Sequence, residues 1–462
     1  MKKLSLFLCF LLFFPVSTAR SAGIVKKNAS VIKKETKTVL PEITPVPFTA
    51  PEVREVVSPS GVKAWLIEEK NTPVIAVSVL FKGGRSADPD RLTGLSDVVA
   101  ALSNEGAGAL DGAAFQEILS ENGIYMNFSA AQDYFAANFQ TLRETKETAF
   151  DLFMQALTNP RFDRKAVRRV KQQFSTALDA KKGNPSALAQ ERFFKLMFKG
   201  HPYARPNVSK SGLNEITRAN LTRYTRERFA KNNMVIGVSG NISAEELSAL
   251  LEEFFTDFPD KAVLKTVPET KPLRTSGIDV LSTDVMQSAV MFGHKGIARN
   301  DDDFYAAYLA MHIFGNGGFS SRLFEEIREK QGLTYGISAF LSPLKASPLI
   351  IGGAAADNAK MAQLINGVKN EWQKAAQKGF SEEEMNDAKT YLKGSFALAF
   401  SSSEGLADFL AAMQYNDLGI DYLNNRNALF EAVSLERLNK TAERIFIPDN
   451  LFFVVIGKPA NL

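Results

Sequence analysis

The chain has 462 residues, 45% of them hydrophobic, which is enough apolar material for roughly two to four domains with their own cores. The 55 basic and 51 acidic residues give a formal net charge of +4, and this near balance argues against nucleic-acid binding. Cys9 is the only cysteine, which argues against a disulfide framework and against thiol catalysis elsewhere in the chain.

The N-terminus has the three parts of a secretory signal peptide. Two lysines follow the first methionine, residues 4–16 form an apolar run, and small residues offer cleavage after Ala19 or Ala22. The alternative, a short membrane anchor, is disfavoured because this run is shorter than the roughly 20 residues of a spanning helix. We predict a signal peptide over residues 1–22 and export to an oxidising compartment such as the bacterial periplasm, which suits a mature chain without cysteine.

Residues 23–50 carry several lysines and prolines and have no periodic apolar face. This composition predicts an extended N-terminal arm. No later stretch is long and apolar enough to cross a bilayer, so we expect no membrane span once the signal peptide is removed.

Globular patterning begins near residue 51. Short β-rich runs bounded by turn residues predict strands, and apolar periodicity followed by a glycine predicts helices. The predicted strands are 62–67 and 74–81, with strand-like sequence over 124–142, and the predicted helices are 94–103, 115–122, 147–158 and 163–182.

The sequence then repeats itself at a fixed spacing. Phe162 and Phe380 are separated by 218 residues, as are Lys171 and Lys389, and residues 221–241 resemble residues 438–458. A shared offset over separate segments indicates two tandem copies of one α+β domain. The predicted domains are 51–260 and 278–462, joined by a linker over 261–277.

Two further segments carry a resemblance to a known family. Residues 315–340 read GNGGFSSRLFEEIREKQGLTYGISAF, and residues 81–106 read FKGGRSADPDRLTGLSDVVAALSNEG. Both resemble the pitrilysin/insulysin peptidases, the inverted zincins. This resemblance implies the processing-peptidase-like metallopeptidase fold, with two homologous α/β domains arranged as a clamshell and a peptide substrate along the edge strand of the first domain.

The resemblance also exposes a missing metal site. In the family, one helix carries His-x-x-Glu-His, whereas the corresponding positions here hold Asp97, Ala100 and Ala101. A third ligand, a glutamate on a later helix, is expected near Ala177. A catalytic zinc needs about three protein ligands, and alanine offers none, so we predict that this chain binds no metal or other cofactor. Asp97 also has a structural explanation, because a carboxylate in the first turn of a helix is stabilised by the helix dipole.

The remaining histidines do not supply a substitute site. His201, His294 and His312 are the only histidines, and none of them pair at the i,i+3 or i,i+4 spacing of ligands on one helix. Structural roles are the better interpretation for all three. A self-sufficient peptidase with unconventional ligands would need a metal site that these residues do not build.

The second-domain motif is nearly intact. Arg328 and Tyr335 match the family's arginine and tyrosine, and the resemblance implies that they reach the zinc centre and hold the peptide carbonyl. A guanidinium fork and a phenol are suitable donors for that task. The alternative is that Arg328 is a solvated helix residue paired with Glu325 or Glu329.

These features predict an accessory role. Some bacterial members of the family divide the zinc motif and the Arg/Tyr pair between two chains, and this chain resembles the second kind. The expected partner is a homologous zinc-binding subunit, the expected substrate is a peptide, and the zinc belongs to the partner. The alternative is a non-enzymatic peptide-binding or scaffold subunit of a larger complex, and the intact motif argues against it.

Overall fold

The computed structural model describes residues 50–462. The predicted signal peptide (1–22) and all of the predicted arm (23–50) except Ala50 lie outside the described residues. Within the described part of the chain, none of the helices combines the length and the hydropathy needed to cross a membrane.

A six-stranded sheet forms the first half of the fold. The strands of this half are β1 (Arg54–Val57), β2 (Lys63–Glu68), β3 (Val74–Lys82), β4 (Gly106–Ala107), β5 (Leu110–Asp111), β6 (Tyr125–Ala130), β7 (Tyr134–Leu142) and β8 (Met234–Gly240). The order in the sheet is β1-β2-β8-β3-β7-β6, and β4 and β5 form a separate two-stranded hairpin.

Eight α-helices accompany these strands, and the first four agree to within a few residues with the helices predicted at 94–103, 115–122, 147–158 and 163–182. The helix predicted at 115–122 starts earlier because the Asp111 side chain accepts hydrogen bonds from the N–H groups of Ala113 and Ala114, which caps the helix. The helices are α1 (Leu95–Leu102), α2 (Gly112–Glu121), α3 (Lys146–Thr158), α4 (Arg164–Lys181), α5 (Pro185–Met197), α6 (Lys210–Glu215), α7 (Arg218–Arg228) and α8 (Ala244–Phe255).

The second half contains a five-stranded sheet. Its strands are β9 (Gly277–Ser282), β10 (Gln287–Lys295), β11 (Ile337–Ser342), β12 (Leu349–Asp357) and β13 (Phe452–Gly457), and their order in the sheet is β11-β12-β10-β13-β9. Its helices are α9 (Phe304–Met311), α10 (Met361–Lys378), α11 (Glu382–Phe396), α12 (Ser403–Tyr415), α13 (Tyr422–Glu431) and α14 (Leu435–Ile445).

The two sheets have the same topology, which confirms the internal repeat. Strands β2, β8, β3, β7 and β6 occur in the same spatial order as β9, β13, β10, β12 and β11. The pairs β2–β8 and β9–β13 are parallel, whereas the remaining pairs of these ten strands are antiparallel. The first sheet adds only β1 at its edge. The fold is therefore two homologous α/β domains, as the sequence predicted.

The central strands of both sheets are buried on both faces. In β3 and β10 every interior residue is buried, and the sequence of β3 (VIAVSVLFK) is almost continuously apolar. A strand of this kind needs a covering layer on each face. Helices of the same half cover one face and bury a core that includes Val77, Phe115 and Phe150 in the first half.

The second face of each sheet is covered by a helix from the other half. Helix α12 lies on β3 and β8 of the first sheet, and α5 lies on β10 and β13 of the second sheet. The two helices begin 218 residues apart, so they are equivalent members of the repeat. At Gly237 in β8, an added Cβ would lie 2.2 Å from the carbonyl oxygen of Ala407, so the close approach of α12 requires glycine. This exchange interlocks the two halves.

The segment between the halves has no helix or strand, but its backbone is fixed to both of them. The N–H of Leu273 donates to Met197 O in the first half, and the N–H of Thr270 donates to Ala346 O in the second half. The next strand, β9, begins at Gly277, the last residue of the predicted linker.

Candidate functional site

The positions of the family's zinc motif lie on α1 and are held by structural contacts. Asp97, in the first turn of α1, receives two charge-assisted hydrogen bonds from Arg85: Nε to Oδ2 at 2.9 Å and Nη2 to Oδ1 at 2.7 Å. Both side chains are largely shielded from water, where a two-pronged pair of this kind is favourable. Asp97 therefore has a structural role: it binds Arg85, and its charge lies in the first turn of α1, where the helix dipole stabilises it.

The other motif positions offer no metal-binding atoms. Ala100 is buried, whereas Ala101 and, on α4, Ala177 are exposed. Helices α1 and α4 do contact each other, so the scaffold that would bring the ligands together is present. Residues 50–462 contain no cluster of three or more histidine, cysteine, aspartate or glutamate side chains that could hold a metal ion. The donor set at the family's zinc position therefore does not fit zinc.

The three histidines have structural positions in separate places. His201 Nδ1 accepts from the N–H of Tyr203, and its Nε2 lies 2.9 Å from Pro268 O. The buried His312 stacks on Tyr391 with ring centroids 5.0 Å apart, and burial lowers its pKa.

His294 is held as a neutral imidazole in the second core. Its Nε2 accepts a hydrogen bond of 2.9 Å from the Trp372 indole N–H, which can only donate. Its Nδ1 must then carry the proton, and it donates to the carbonyl oxygen of Lys295 at 2.8 Å. Burial lowers the pKa of His294 to about 4, so the ring stays uncharged near neutral pH.

The second-domain motif is built from two π-helical segments, His312–Asn316 and Phe324–Lys330. Such segments are rare and occur frequently at functional sites. The first passes so close to β11 that a Cβ on Gly315 would lie 2.8 Å from the backbone nitrogen of Ala339. The glycine-rich turn therefore serves packing, and it places the following helix against the sheet.

Arg328 lies on the second π-helical segment, near the surface. Its guanidinium stacks 4.7 Å above the ring of Phe324 and pairs with the adjacent carboxylate of Glu329. About a third of its side chain is exposed. The pairing anticipated for a solvated helix residue is thus present, with Glu329 and not Glu325 as the partner. Stacking and pairing hold the side chain in one orientation while leaving further N–H donors of the fork available.

Tyr335 projects from the surface on a fixed piece of backbone. Its side chain is 86% exposed. The hydroxyl of the neighbouring Thr334 donates to Ala355 O at 2.6 Å and accepts from the N–H of Gly336 at 3.1 Å. These bonds fix the chain on both sides of the tyrosine. Phe319, in the glycine-rich turn, is 80% exposed and packs edge-on against Phe324.

Arg328 and Tyr335 share one surface segment, and the structure does not join them to the zinc-motif positions. Among residues 50–462, no hydrogen bond or ion pair links either side chain to a residue of the first half. Arg328 stacks on Phe324, against which the exposed Phe319 packs, and the exposed Tyr335 follows Arg328 by seven residues. These side chains are accessible to a molecule outside this chain.

A polar cluster that the sequence does not predict joins the two halves. The Tyr203 hydroxyl donates to Asp133 Oδ1 at 2.7 Å and accepts from the N–H of Ala346 at 2.9 Å. The other oxygen of Asp133 accepts from the N–H of Lys345 at 3.0 Å. Burial and the nearby Asp133 carboxylate raise the pKa of Tyr203, so its phenol remains a neutral donor. The partners of Tyr203 are distant from it in sequence, so no local pattern predicts this cluster.

Comparison with known proteins agrees with this geometry. The family model described as insulinase (peptidase family M16) matches residues 64–210, and the one described as peptidase M16 inactive domain matches residues 215–392. The chain belongs to peptidase family M16. The resemblance to pitrilysin and insulysin peptidases is thereby confirmed.

The M16 relatives include proteins with and without a peptidase name. The non-peptidase homolog YmxG of Helicobacter pylori is 25% identical over 403 residues, which cover 86% of this chain and 92% of that protein. The uncharacterized zinc protease YmxG of Bacillus subtilis is 22% identical, over 84% of this chain and 95% of that protein.

Solved structures support the same fold. A crystal structure of a peptidase M16 inactive domain from Pseudomonas fluorescens has a TM-score of 0.82 and 25% identity, and covers 88% of this chain and 98% of its own. A protease from Helicobacter pylori, at 19% identity and a TM-score of 0.80, shows the fold alone. Together with the alanines at the zinc-motif positions, these findings support catalytic inactivity of this M16 homologue.

Proposed function

We propose that this M16 homologue is the accessory subunit of a heterodimeric periplasmic metallopeptidase. Its partner is a homologous chain with an intact His-x-x-Glu-His motif and its own zinc. This chain contributes Arg328 and Tyr335 to the partner's active site and has no peptidase activity alone. Its part of the chemistry is to hold the peptide and to donate hydrogen bonds to the oxygen of the scissile carbonyl.

The observation that carries this proposal is the contrast between the two motifs. The zinc-motif positions are occupied by Asp97, which pairs with Arg85, and by alanines. The second motif instead keeps Arg328 oriented by stacking and Tyr335 exposed on a fixed backbone. A chain that needed neither motif would have no reason to keep only the second one in this form.

The chemistry of the pair matches the proposed task. A guanidinium stays charged at every physiological pH, and a phenol donates one hydrogen bond without adding charge. Both donors would approach a carbonyl oxygen that gains negative charge during hydrolysis. Donors placed in this way lower the barrier because their dipoles are oriented before the reaction.

A native pull-down tests the partnership. The tagged chain would be isolated gently from the periplasm of the cells that make it, and the co-eluting proteins identified by mass spectrometry. The proposal predicts a stoichiometric M16 partner containing His-x-x-Glu-His, and a complex that hydrolyses peptides in a chelator-sensitive way. Recovery of the chain alone, or within an unrelated complex, would contradict it and favour a scaffold or peptide-binding role.

A further inference from the structure

A second site is indicated by a cationic cavity on the first half, between α4, α6 and the first residue of α7. Its volume is about 560 Å³. Five of its lining residues are basic, and among residues 50–462 no aspartate or glutamate lines it. The basic residues are Arg164, Arg168, Lys171, Lys210 and Arg218.

Two of these cations are fixed by backbone oxygens, which orient them without cancelling their charge. The Lys171 ammonium donates to Ile216 O at 3.1 Å, at the end of α6. The Arg218 guanidinium donates to Arg161 O at 2.9 Å. Both charges remain available to an anion in the cavity.

The other three cations are less constrained. Lys210 pairs with Asp179 at 2.7 Å. Arg164 and Arg168 are exposed, and neither makes an ion pair with any residue of 50–462. Among residues 50–462, four of the five basic residues that line the cavity therefore have no carboxylate partner. Such a concentration of like charge is costly unless solvent or an anionic ligand compensates it.

We propose that this cavity binds an acidic peptide segment. Arg164, Arg168 and Lys171 lie at i, i+4 and i+7, which places them on one face of α4. At 1.5 Å per residue, their Cα atoms span roughly 10 Å along the helix. An extended peptide covers that length in about three residues, with alternate side chains on one side. Carboxylates distributed along a peptide match this row better than a single phosphate, which needs donors converging on one point.

The rest of the lining also suits a peptide. Phe162 and Leu213 are buried and form an apolar floor. Gln172, Ser175 and Asn214 add amide and hydroxyl groups that can bond to a peptide backbone. The cavity thus offers charged, polar and apolar groups, each of which can contact part of a peptide.

The cavity is separate from the zinc-motif positions. Ala177 follows Arg168 by nine residues, or about two and a half helical turns, so it lies on the opposite side of α4. Binding at the cavity needs no partner subunit and can be measured on the purified chain.

The test uses fluorescence anisotropy with a fluorescein-labelled peptide in which glutamate and glycine alternate. The matched control peptide replaces every glutamate with glutamine. The purified chain should bind the glutamate peptide and not the glutamine peptide. The double substitution Arg164→Ala/Arg168→Ala should weaken binding about tenfold, since hydrogen bonds to charged groups are lost. Both positions are exposed, so its thermal unfolding should match the wild type.

Lys165→Ala provides the control for overall charge, because Lys165 is exposed on the same helix but does not line the cavity. It should change the affinity less than about twofold. An equal loss with Lys165→Ala, or equal binding of the glutamine peptide, would overturn the proposal. So would binding of inorganic phosphate or of phosphatidylglycerol vesicles when the glutamate peptide does not bind.

Discussion

Asp408 lies on α12, where that helix covers the first sheet, and it offers a direct test of the exchanged packing. Its Oδ1 accepts a hydrogen bond of 2.9 Å from the Asn138 side-chain amide on β7. Burial raises the pKa of Asp408 from 3.8 to about 6, and the neighbouring Glu404 carboxylate acts in the same direction. The substitution Asp408→Asn keeps an acceptor for Asn138 but removes the charge.

The pKa values set the sign and size of the effect. Below about pH 4 the carboxyl of Asp408 is protonated in both the folded and the unfolded chain, so it does not lower the free energy of unfolding. Between about pH 4 and pH 6 the unfolded chain loses this proton while the folded chain keeps it, so the free energy of unfolding falls as pH rises. Above about pH 6 the carboxyl is charged in both states, and the free energy of unfolding is lower by its full amount. The difference between the two pKa values sets this amount at about 3 kcal/mol.

The assay is urea unfolding of the wild type and Asp408→Asn at pH 4 and pH 7.5. Between pH 4 and pH 7.5, the free energy of unfolding of Asp408→Asn should rise relative to that of the wild type by up to about 3 kcal/mol. The control Asp421→Asn removes the same charge from an exposed position on the surface of the second half. Asp408→Asn should change the pH dependence of the free energy of unfolding more than this control does. A pH-independent difference for Asp408→Asn would refute the inference that α12 buries this carboxyl.

Three further outcomes follow from the site. Tyr203→Phe removes the hydroxyl between Asp133 and Ala346, so the free energy of unfolding should fall by about 1–3 kcal/mol in urea titrations. An unchanged value would show that these hydrogen bonds do not stabilise the contact between the two halves. Arg85→Ala leaves the Asp97 carboxylate without its guanidinium partner and should lower the free energy of unfolding by about 2 kcal/mol. The double variant Arg85→Ala/Asp97→Ala should recover most of this loss, and a double variant no more stable than the single one would count against the pair. Equilibrium dialysis of the purified chain should show no tight zinc binding, and a stoichiometric zinc ion would be evidence against the loss of the site.

Much of the fold could be predicted from the sequence because the repeat constrains it. The 218-residue offset relates equivalent strands and helices in the two halves, and the sheets share one strand order. The exchange of α5 and α12 could not be predicted. Their apolar faces indicate that each helix is buried, but a hydrophobic pattern carries no information about which sheet it covers.

The candidate site, like the fold, could be predicted only in part from the sequence. The sequence alone shows that Ala100 and Ala101 cannot bind a metal ion, because the alanine side chain has no atom that can donate an electron pair to a metal. The pairing of Asp97 with Arg85 is not visible, since it depends on a turn that brings residues twelve apart in sequence into contact. The row of cations on α4 has a sequence signal, its i, i+4, i+7 spacing, but the cavity forms only when α6 packs beside that helix.

Steady-state turnover of the assembled heterodimer measures whether this chain donates Arg328 and Tyr335 to a partner's active site. The variant Tyr335→Phe removes one hydroxyl, and Tyr391→Phe removes another from a second exposed tyrosine of the same half. In correctly assembled complexes, Tyr335→Phe and Arg328→Ala should each lower kcat roughly a hundredfold, whereas Tyr391→Phe should leave it unchanged. Full turnover with both Arg328→Ala and Tyr335→Phe would show that neither side chain acts in the partner's active site.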